Sequence, residues 1–180
     1  MRKPVQIILI LLFGGLTVYL EFRDIQEWTL FGGDLFEAVP FYTLCILTIV
    51  YLFKNSRQYR QRKSIVSYLP STIGLLFLAL TVGHMLLRSH YDNSPTLFTA
   101  TNYALGSDGG FTLDFKKNHH LKGKKIHRLS STTYWGTYRQ QGDTFVLKIP
   151  LDFKIGRQAV FQDSILRFVE DTVKFEVSRQ

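Results

Sequence analysis

The amino-acid sequence predicts a two-part protein, with an α-helical membrane region of three transmembrane helices followed by an all-β C-terminal domain. Residues 4–20, 38–53 and 64–87 contain no Asp, Glu, Lys or Arg, whereas most of the charged residues lie between Arg88 and Gln180. The second half also alternates apolar and polar residues. The mean hydropathy of +0.02 therefore averages two unlike regions.

The three charge-free runs have the length that a bilayer requires. A hydrocarbon core of roughly 30 Å takes about 20 mostly apolar residues, because lipid offers no hydrogen-bond partner for the backbone. The first run could be a signal peptide, but it ends in Thr17-Val-Tyr-Leu-Glu-Phe, which lacks the small residues of a cleavage site. The other two lack the polar face of a soluble helix. The predicted spans are residues 4–22, 36–53 and 65–87, within a transmembrane domain of residues 1–90.

Lysine and arginine in the short loops predict the orientation. The N-terminus carries Arg2 and Lys3, and the second loop, residues 54–63, holds five cations and no acid. The first loop, residues 21–37, holds one arginine against five acids. The positive-inside rule therefore places the N-terminus in the cytoplasm and the C-terminal domain outside. A re-entrant first or second segment would reverse this prediction.

Two features of the sequence are predicted to lie near the outer surface of the membrane. His84 is the only ionisable residue deep within a predicted span, and such residues are functional candidates. It lies four residues before Arg88, so an interfacial histidine that reaches water is the favoured interpretation. The segment Trp28-Thr-Leu-Phe-Gly-Gly-Asp is predicted to lie in the interface as a short amphipathic turn.

Residues 95–180 are predicted to form a small β-domain. Phe111, Leu113 and Phe115 alternate with polar neighbours, and the pattern recurs at 145–149 and 173–177. Alternation of this kind is typical of half-buried antiparallel strands. We predict an antiparallel meander barrel or sandwich of six to eight strands. The predicted strands cover residues 97–105, 110–116, 121–130, 133–140, 143–149, 158–168 and 172–179.

The segment Tyr134-Trp-Gly-Thr-Tyr, followed by Gly142-Asp-Thr-Phe-Val-Leu, resembles hairpins of the small lipocalin-like β-domains of bacterial envelope proteins. Gly136 lets aromatic neighbours pack across the strand, and Gly142-Asp143 supplies a turn. The resemblance implies a meander topology in a protein of the bacterial inner (cell) membrane. The layout of the chain is also similar to that of anti-phage effectors that couple transmembrane helices to a β-barrel binding a cyclic oligonucleotide.

The sequence lacks the common catalytic motifs, including G-x-S-x-G, H-E-x-x-H and the P-loop. Cys45 lies within an apolar span and, as the single cysteine, cannot form an internal disulfide. His119, His120 and His127 with Asp114 could bind a metal, but adjacent histidines on a strand point to opposite faces. We therefore expect a non-enzymatic protein without a cofactor or a metal.

A basic run followed by aromatic residues forms the candidate ligand-binding site. Residues 116–128 hold six Lys or Arg and three His, and no acid occurs from Phe115 to Gly142. Such a run could contact anionic lipid, bind a phosphate-bearing ligand such as a nucleotide, or simply be solvated. The aromatic residues could line a barrel mouth or belong to the core. The candidate residues are Lys116, Lys117, Lys122, Lys124, Lys125, Arg128, Tyr134, Trp135 and Tyr138.

Two functional hypotheses follow. The first is an integral membrane protein whose extracytoplasmic β-domain binds a protein or envelope partner, as an accessory subunit or an immunity protein. The alternative is an anti-phage effector whose cytoplasmic barrel senses a cyclic oligonucleotide and triggers membrane disruption. The expected partners are membrane lipid and either a protein or an anionic ligand such as a nucleotide, and a homo-oligomer is a further option.

Overall fold

A computed structural model describes residues 3–29, 33–62, 64–104, 110–150, 156–169 and 174–178. The chain divides into two compact units, one formed by residues 1–23 and 34–87 and the other by residues 24–33 and 88–180. The first unit is helical and the second is built from β-strands, to which the end of the third helix also belongs.

Three helices are long and apolar enough to cross a membrane, as the sequence predicts. They are α1 (Lys3–Glu21), α2 (Gly33–Arg62) and α3 (Leu69–Asp92), with a short 3-10 helix (Ile65–Tyr68) before α3. The prediction of a loop from residue 54 is wrong, because α2 continues to Arg62. Residues 54–62 contain no Gly or Pro and are rich in Arg and Gln, which favour a helix.

The helices pack through small and polar residues. A Cβ added at Gly14 of α1 would overlap Cδ2 of Phe77, and one at Gly74 of α3 would overlap Oγ1 of Thr48. Glycine at both positions therefore permits close approach of neighbouring helices. The buried polar residues of the helical unit are Gln6, Thr17, Thr48, Asn55, Ser67, Ser71 and Thr81.

Eight antiparallel strands form a closed barrel, and a ninth strand extends its sheet. The strands are β1 (Ile25–Thr29), β2 (Thr96–Asn102), β3 (Phe111–Lys116), β4 (His120–Ile126), β5 (Ser130–Gln141), β6 (Thr144–Lys148), β7 (Gln158–Gln162), β8 (Ile165–Phe168) and β9 (Lys174–Ser178). Strands β2 to β9 follow one another around the barrel, and the antiparallel pairing of β2 with β9 closes it. The barrel is one of the two architectures that the sequence predicts.

Strand β1 comes from the first loop and pairs with the first half of β5, from Ile25 opposite Tyr134 to Thr29 opposite Ser130. The interfacial turn predicted to begin at Trp28 is therefore wrong for Trp28 and Thr29, and residues 30–32 lie outside the described residues. Five residues with a partner more than a hundred positions away carry too little local pattern to be identified as a strand.

The predicted single strand over residues 158–168 is also wrong, since it is the hairpin of β7 and β8. Asp163 and Ser164 form its turn with φ angles of 50° and 62°. Positive φ at both central positions gives a turn whose twist matches that of the flanking strands. Aspartate tolerates this conformation better than most residues do.

Aromatic side chains fill the barrel. Phe111, Phe115, Tyr134 and Phe175 are completely buried. The ring centroids of Phe98 and Phe115 lie 4.3 Å apart, and those of Phe115 and Tyr138 lie 5.0 Å apart. Each buried aromatic ring removes a large apolar area from water. The barrel is therefore a packed core.

Candidate functional site

Strand alternation separates the nine predicted site residues onto two faces of the barrel. On β5, Tyr134 and Tyr138 point inward and are buried, whereas Trp135 between them points outward and is partly exposed. On β4, Leu121 and Gly123 point inward, so Lys122 and Lys124 lie on the outer face. Successive side chains on a strand face opposite sides, so the nine residues do not form one surface.

Tyr134 and Tyr138 belong to the barrel core. Tyr134 is 0% exposed and Tyr138 is 2% exposed. The hydroxyl of Tyr138 donates a hydrogen bond to the backbone oxygen of Lys116 at 2.8 Å. Burial raises the pKa of Tyr138, so this hydroxyl keeps its proton at neutral pH. The structure favours the core interpretation of both tyrosines, and their contact with a ligand stays a prediction.

Three of the predicted residues instead hold the last turn of α3. Nζ of Lys122 lies 2.7 Å from Oδ2 of Asp92, and Nζ of Lys116 lies 4.0 Å from Oδ1 of the same carboxylate. Nζ of Lys116 also donates to Oγ1 of Thr96 at 3.1 Å. The Asp92 carboxylate thus offsets charge of the basic run that the sequence presents as free of acids.

Trp135 completes this contact. Nζ of Lys122 lies 4.8 Å from the centre of the Trp135 ring, and Cζ of Arg88 lies 5.3 Å from it. Both distances suit cation–π attraction. We call Arg88, Asp92, Lys116, Lys122 and Trp135 the α3 anchor.

The remaining predicted cations lie elsewhere on the surface. Lys117, Lys124 and Arg128 are exposed, and Lys125 is partly buried. Lys117 lies in the turn between β3 and β4, whereas Arg128 lies between β4 and β5. In a meander these two connections are at opposite ends of the barrel. The basic run is therefore distributed along the barrel and is not concentrated at one site.

A second contact holds the end of α3 through an aromatic stack. The rings of Tyr91 and His120 are stacked, with centroids 4.0 Å apart and planes 16° from parallel. The side-chain nitrogen of Asn118 donates to the backbone oxygen of Tyr91 at 3.3 Å. Burial lowers the pKa of His120, which favours its neutral form. Among the residues that the structure describes, no group of three or more His, Cys, Asp or Glu could hold a metal.

His84 has a carboxylate partner that the sequence analysis missed. Its Nδ1 lies 3.2 Å from Oε1 of Glu21, and its ring stacks on Phe22 with centroids 4.0 Å apart. One feature of the sequence could have identified this pair. If α1 and α3 both cross the membrane in the same direction, Glu21 and His84 come near the same end of their helices.

A crevice at one end of the barrel also went unpredicted. It has a volume of about 250 Å³. Its apolar lining is mainly aromatic, and the end of β5 with the turn that follows supplies its polar groups. The lining residues are Leu97, Phe98, Gln140, Asp143, Phe145 and Phe161. They come from four strands and one turn, so only the closed barrel brings them together.

An apolar crevice of about 390 Å³ occurs in the helical unit. The start of α1 provides Lys3, Pro4, Ile7 and Ile8, and the start of α3 with the preceding 3-10 helix provides Val66, Leu69 and Pro70. A hydrocarbon chain suits such a lining, and Lys3 supplies one cation beside it. The lipid partner expected from the sequence stays a prediction.

Comparison of the chain with protein-family models, with curated proteins and with solved structures finds no match.

Proposed function

We propose that the chain is a non-enzymatic integral membrane protein whose β-barrel binds a protein or envelope partner, in the manner of an accessory subunit or an immunity protein. The observation that carries the proposal is the filled barrel interior, where Phe111, Phe115, Tyr134 and Phe175 are 0% exposed. Small-molecule pockets usually measure about 300–1,000 Å³. The crevice at one end of the barrel, at about 250 Å³, is smaller than this. A macromolecular partner on the outer surface is therefore the better fit.

The pairing of β1 with β5 supports the proposed arrangement in the membrane. Strand pairing requires the first loop and the barrel to lie on the same side of the bilayer. Either both α2 and α3 cross the membrane, or neither does, and all three helices have the length and composition to cross. A single re-entrant second or third helix would separate the two paired strands.

The cations at the end of α2 then favour an extracytoplasmic barrel. Residues 54–62 hold four Lys or Arg and form the end of α2 that is farther along the chain from β1. The positive-inside rule assigns this segment to the cytoplasm. We therefore propose a bacterial inner membrane location with the barrel on the outer side, where a protein or envelope component can reach it.

The alternative, a cytoplasmic sensor of cyclic oligonucleotides, has less support. It places the phosphates on the basic run from Lys116 to Arg128 and stacks a base on Tyr134 or Trp135. The Asp92 carboxylate lies 2.7 Å from Lys122 and would repel a phosphate there. Trp135 is already covered on its ring by Arg88 and Lys122. A sensor that used Lys122 and Trp135 would have to open the α3 anchor before its ligand could bind there.

Site-specific photo-cross-linking in cells tests the proposal. A benzophenone amino acid replaces Lys124, which is exposed on the outer face of β4, or Ile8, which is 62% exposed on α1. We expect a discrete protein adduct from position 124 that differs from any adduct of position 8. Calorimetry of the full-length protein in detergent with cyclic oligonucleotides is the counter-test. Heat of binding there, with no protein adduct from position 124, would overturn the proposal in favour of the sensor.

A further inference from the structure

The crevice at the barrel end combines aromatic surface with hydrogen-bond acceptors. Phe98 is one of its lining residues, with the ring centroid of Phe145 at 5.5 Å and that of Phe161 at 5.9 Å from its own. Phe98 and Phe161 are only partly buried, so part of their aromatic surface remains accessible. Leu97, which is 44% exposed, adds an aliphatic wall.

The polar side of the crevice is negative. Asp143 is exposed, and its carboxylate has no ion-pair partner among the described residues. Its position is fixed, because its backbone oxygen accepts a hydrogen bond from the N–H of Phe161 at 2.9 Å. The side-chain nitrogen of Gln140 donates to the backbone oxygen of Gly142 at 3.0 Å. This bond uses one N–H of the Gln140 amide, and the amide oxygen is an acceptor.

Size and chemistry together define what this crevice can hold. A volume of about 250 Å³ accommodates one long side chain rather than a cofactor. Aromatic faces attract cations, and a carboxylate beside them adds a charge-assisted hydrogen bond. An apolar stem would lie along Leu97 and Phe161. The crevice therefore suits a cation carried on an aliphatic chain.

We propose that this crevice binds an arginine side chain of a partner polypeptide. Arginine fits better than lysine because its planar guanidinium stacks on aromatic rings and binds a carboxylate through two hydrogen bonds. The site rests on the proposed function, in which the barrel binds a protein. It adds a chemical preference that the basic run does not provide, since Lys117 and Lys124 suit acidic groups instead.

Nuclear magnetic resonance of the full-length protein in detergent micelles tests the site. The probes are Nα-acetyl-arginine amide, Nα-acetyl-lysine amide and Nα-acetyl-leucine amide, and the readouts are the Leu97 methyl signals and the Gly142 amide signal. We expect saturable shifts with the arginine probe, weaker binding of the lysine probe and none of the leucine probe. Asp143→Asn should weaken binding of the arginine probe about fivefold, as expected for loss of a partly exposed ion pair.

Asp163→Asn is the matched control. Asp163 is exposed in the turn between β7 and β8, at the same end of the barrel, but does not line the crevice. This variant should leave the affinity unchanged within about twofold. Equal weakening by both variants, equal affinity for all three probes, or no saturable shift would overturn the site. Because the titration needs no partner, it can fail while the cross-link at position 124 forms, or succeed while no cross-link forms.

Discussion

The two units of the molecule bury opposite kinds of side chain. In the described part of the helical unit the fully or nearly buried residues are mainly small or polar, whereas Ile10, Leu44 and Tyr51 are its few buried large hydrophobics. In the barrel the buried set is apolar and largely aromatic. The helices instead expose large apolar residues such as Ile8 and Phe53, at 62% and 69%.

This reversal follows from the solvent that each unit is built for. Water drives the aromatic residues of the barrel inward. Hydrocarbon gives no such drive, so helices in a bilayer associate through close packing of small residues and through polar contacts between them. The same class of residue, a large hydrophobic one, is therefore a core residue in one unit and a surface residue, suited to face lipid, in the other.

The largest expected difference comes from removing one phenylalanine ring in each unit. Phe115→Ala should lower the free energy of unfolding of the barrel by about 3–5 kcal/mol, because it leaves a cavity among packed rings. Phe53→Ala should change stability by less than about 0.5 kcal/mol, because that ring faces outward. Denaturant unfolding in detergent, followed by near-ultraviolet circular dichroism, measures both. Similar losses for the two variants would break the comparison.

A smaller effect should distinguish two adjacent glycines in α1. Gly14→Ala should destabilise the helical unit by about 1–3 kcal/mol, because the new methyl group would overlap the Phe77 ring. Gly15 has no atom within 4 Å of an added Cβ, so Gly15→Ala should be neutral or stabilise by up to about 1 kcal/mol. Thermal unfolding of α-helical circular dichroism provides the readout. A larger loss for Gly15→Ala would argue against the helix packing.

The α3 anchor should contribute less to the free energy of unfolding than the core of either unit. Lys122→Met removes the ion pair with Asp92 and one cation over Trp135, and should cost about 1 kcal/mol. Lys124→Met, two residues further along the same outer face, should stay within about 0.5 kcal/mol. Tryptophan fluorescence during denaturant unfolding reports on both variants. An equal effect of the two would mean that the anchor contributes nothing specific.

The smallest expected effect is a pH dependence through His120. Burial lowers its pKa in the folded state, so the unfolded chain takes up the proton more readily. The contribution of neutral His120 to the free energy of unfolding is fully present above the ordinary histidine pKa of about 6.5. It is lost as the pH falls below that value. His120→Gln should therefore reduce the stability difference between pH 7.5 and pH 5.5. An unchanged difference in the His120→Gln variant would contradict this assignment.

Features that depend on a local pattern of residues can be predicted from the sequence. Charge-free runs predict the three helices, and alternation predicts a barrel among its two options. The inward position of Tyr134 and Tyr138 was also accessible, because alternation along β5 separates them from Trp135. The turn at Asp163-Ser164 consists of turn-favouring residues within an otherwise apolar stretch, so the β7–β8 hairpin could have been recognised.

Long-range pairings could not be predicted in this way. Strand β1 depends on a partner in β5, and the α3 anchor depends on Asp92 meeting lysines of β3 and β4. The crevice at one end of the barrel joins residues of β2, β5, β6 and β7, and these residues form no contiguous motif in the sequence. Each of these features requires the closed barrel first, and the periodicity of a single segment contains no information on which strands become neighbours.

The β1–β5 ladder on the outer side of the membrane is the central claim, and one disulfide tests it. Glu27 of β1 lies opposite Thr132 of β5, and Cα atoms of such pairs are about 4.5–5.5 Å apart, within the range of a disulfide. The protein with Glu27→Cys, Thr132→Cys and Cys45→Ser is expressed in a bacterium, and its thiols are trapped by alkylation before lysis. A control pairs Glu27→Cys with Gln162→Cys on β7.

We expect the 27–132 disulfide to form in cells without added oxidant, because disulfides persist outside the cytoplasm, and we expect none in the control. Two alkylated thiols at positions 27 and 132 that fail to join even after oxidation of the purified protein would contradict the ladder. A disulfide that forms only after lysis would keep the ladder and contradict the extracytoplasmic barrel.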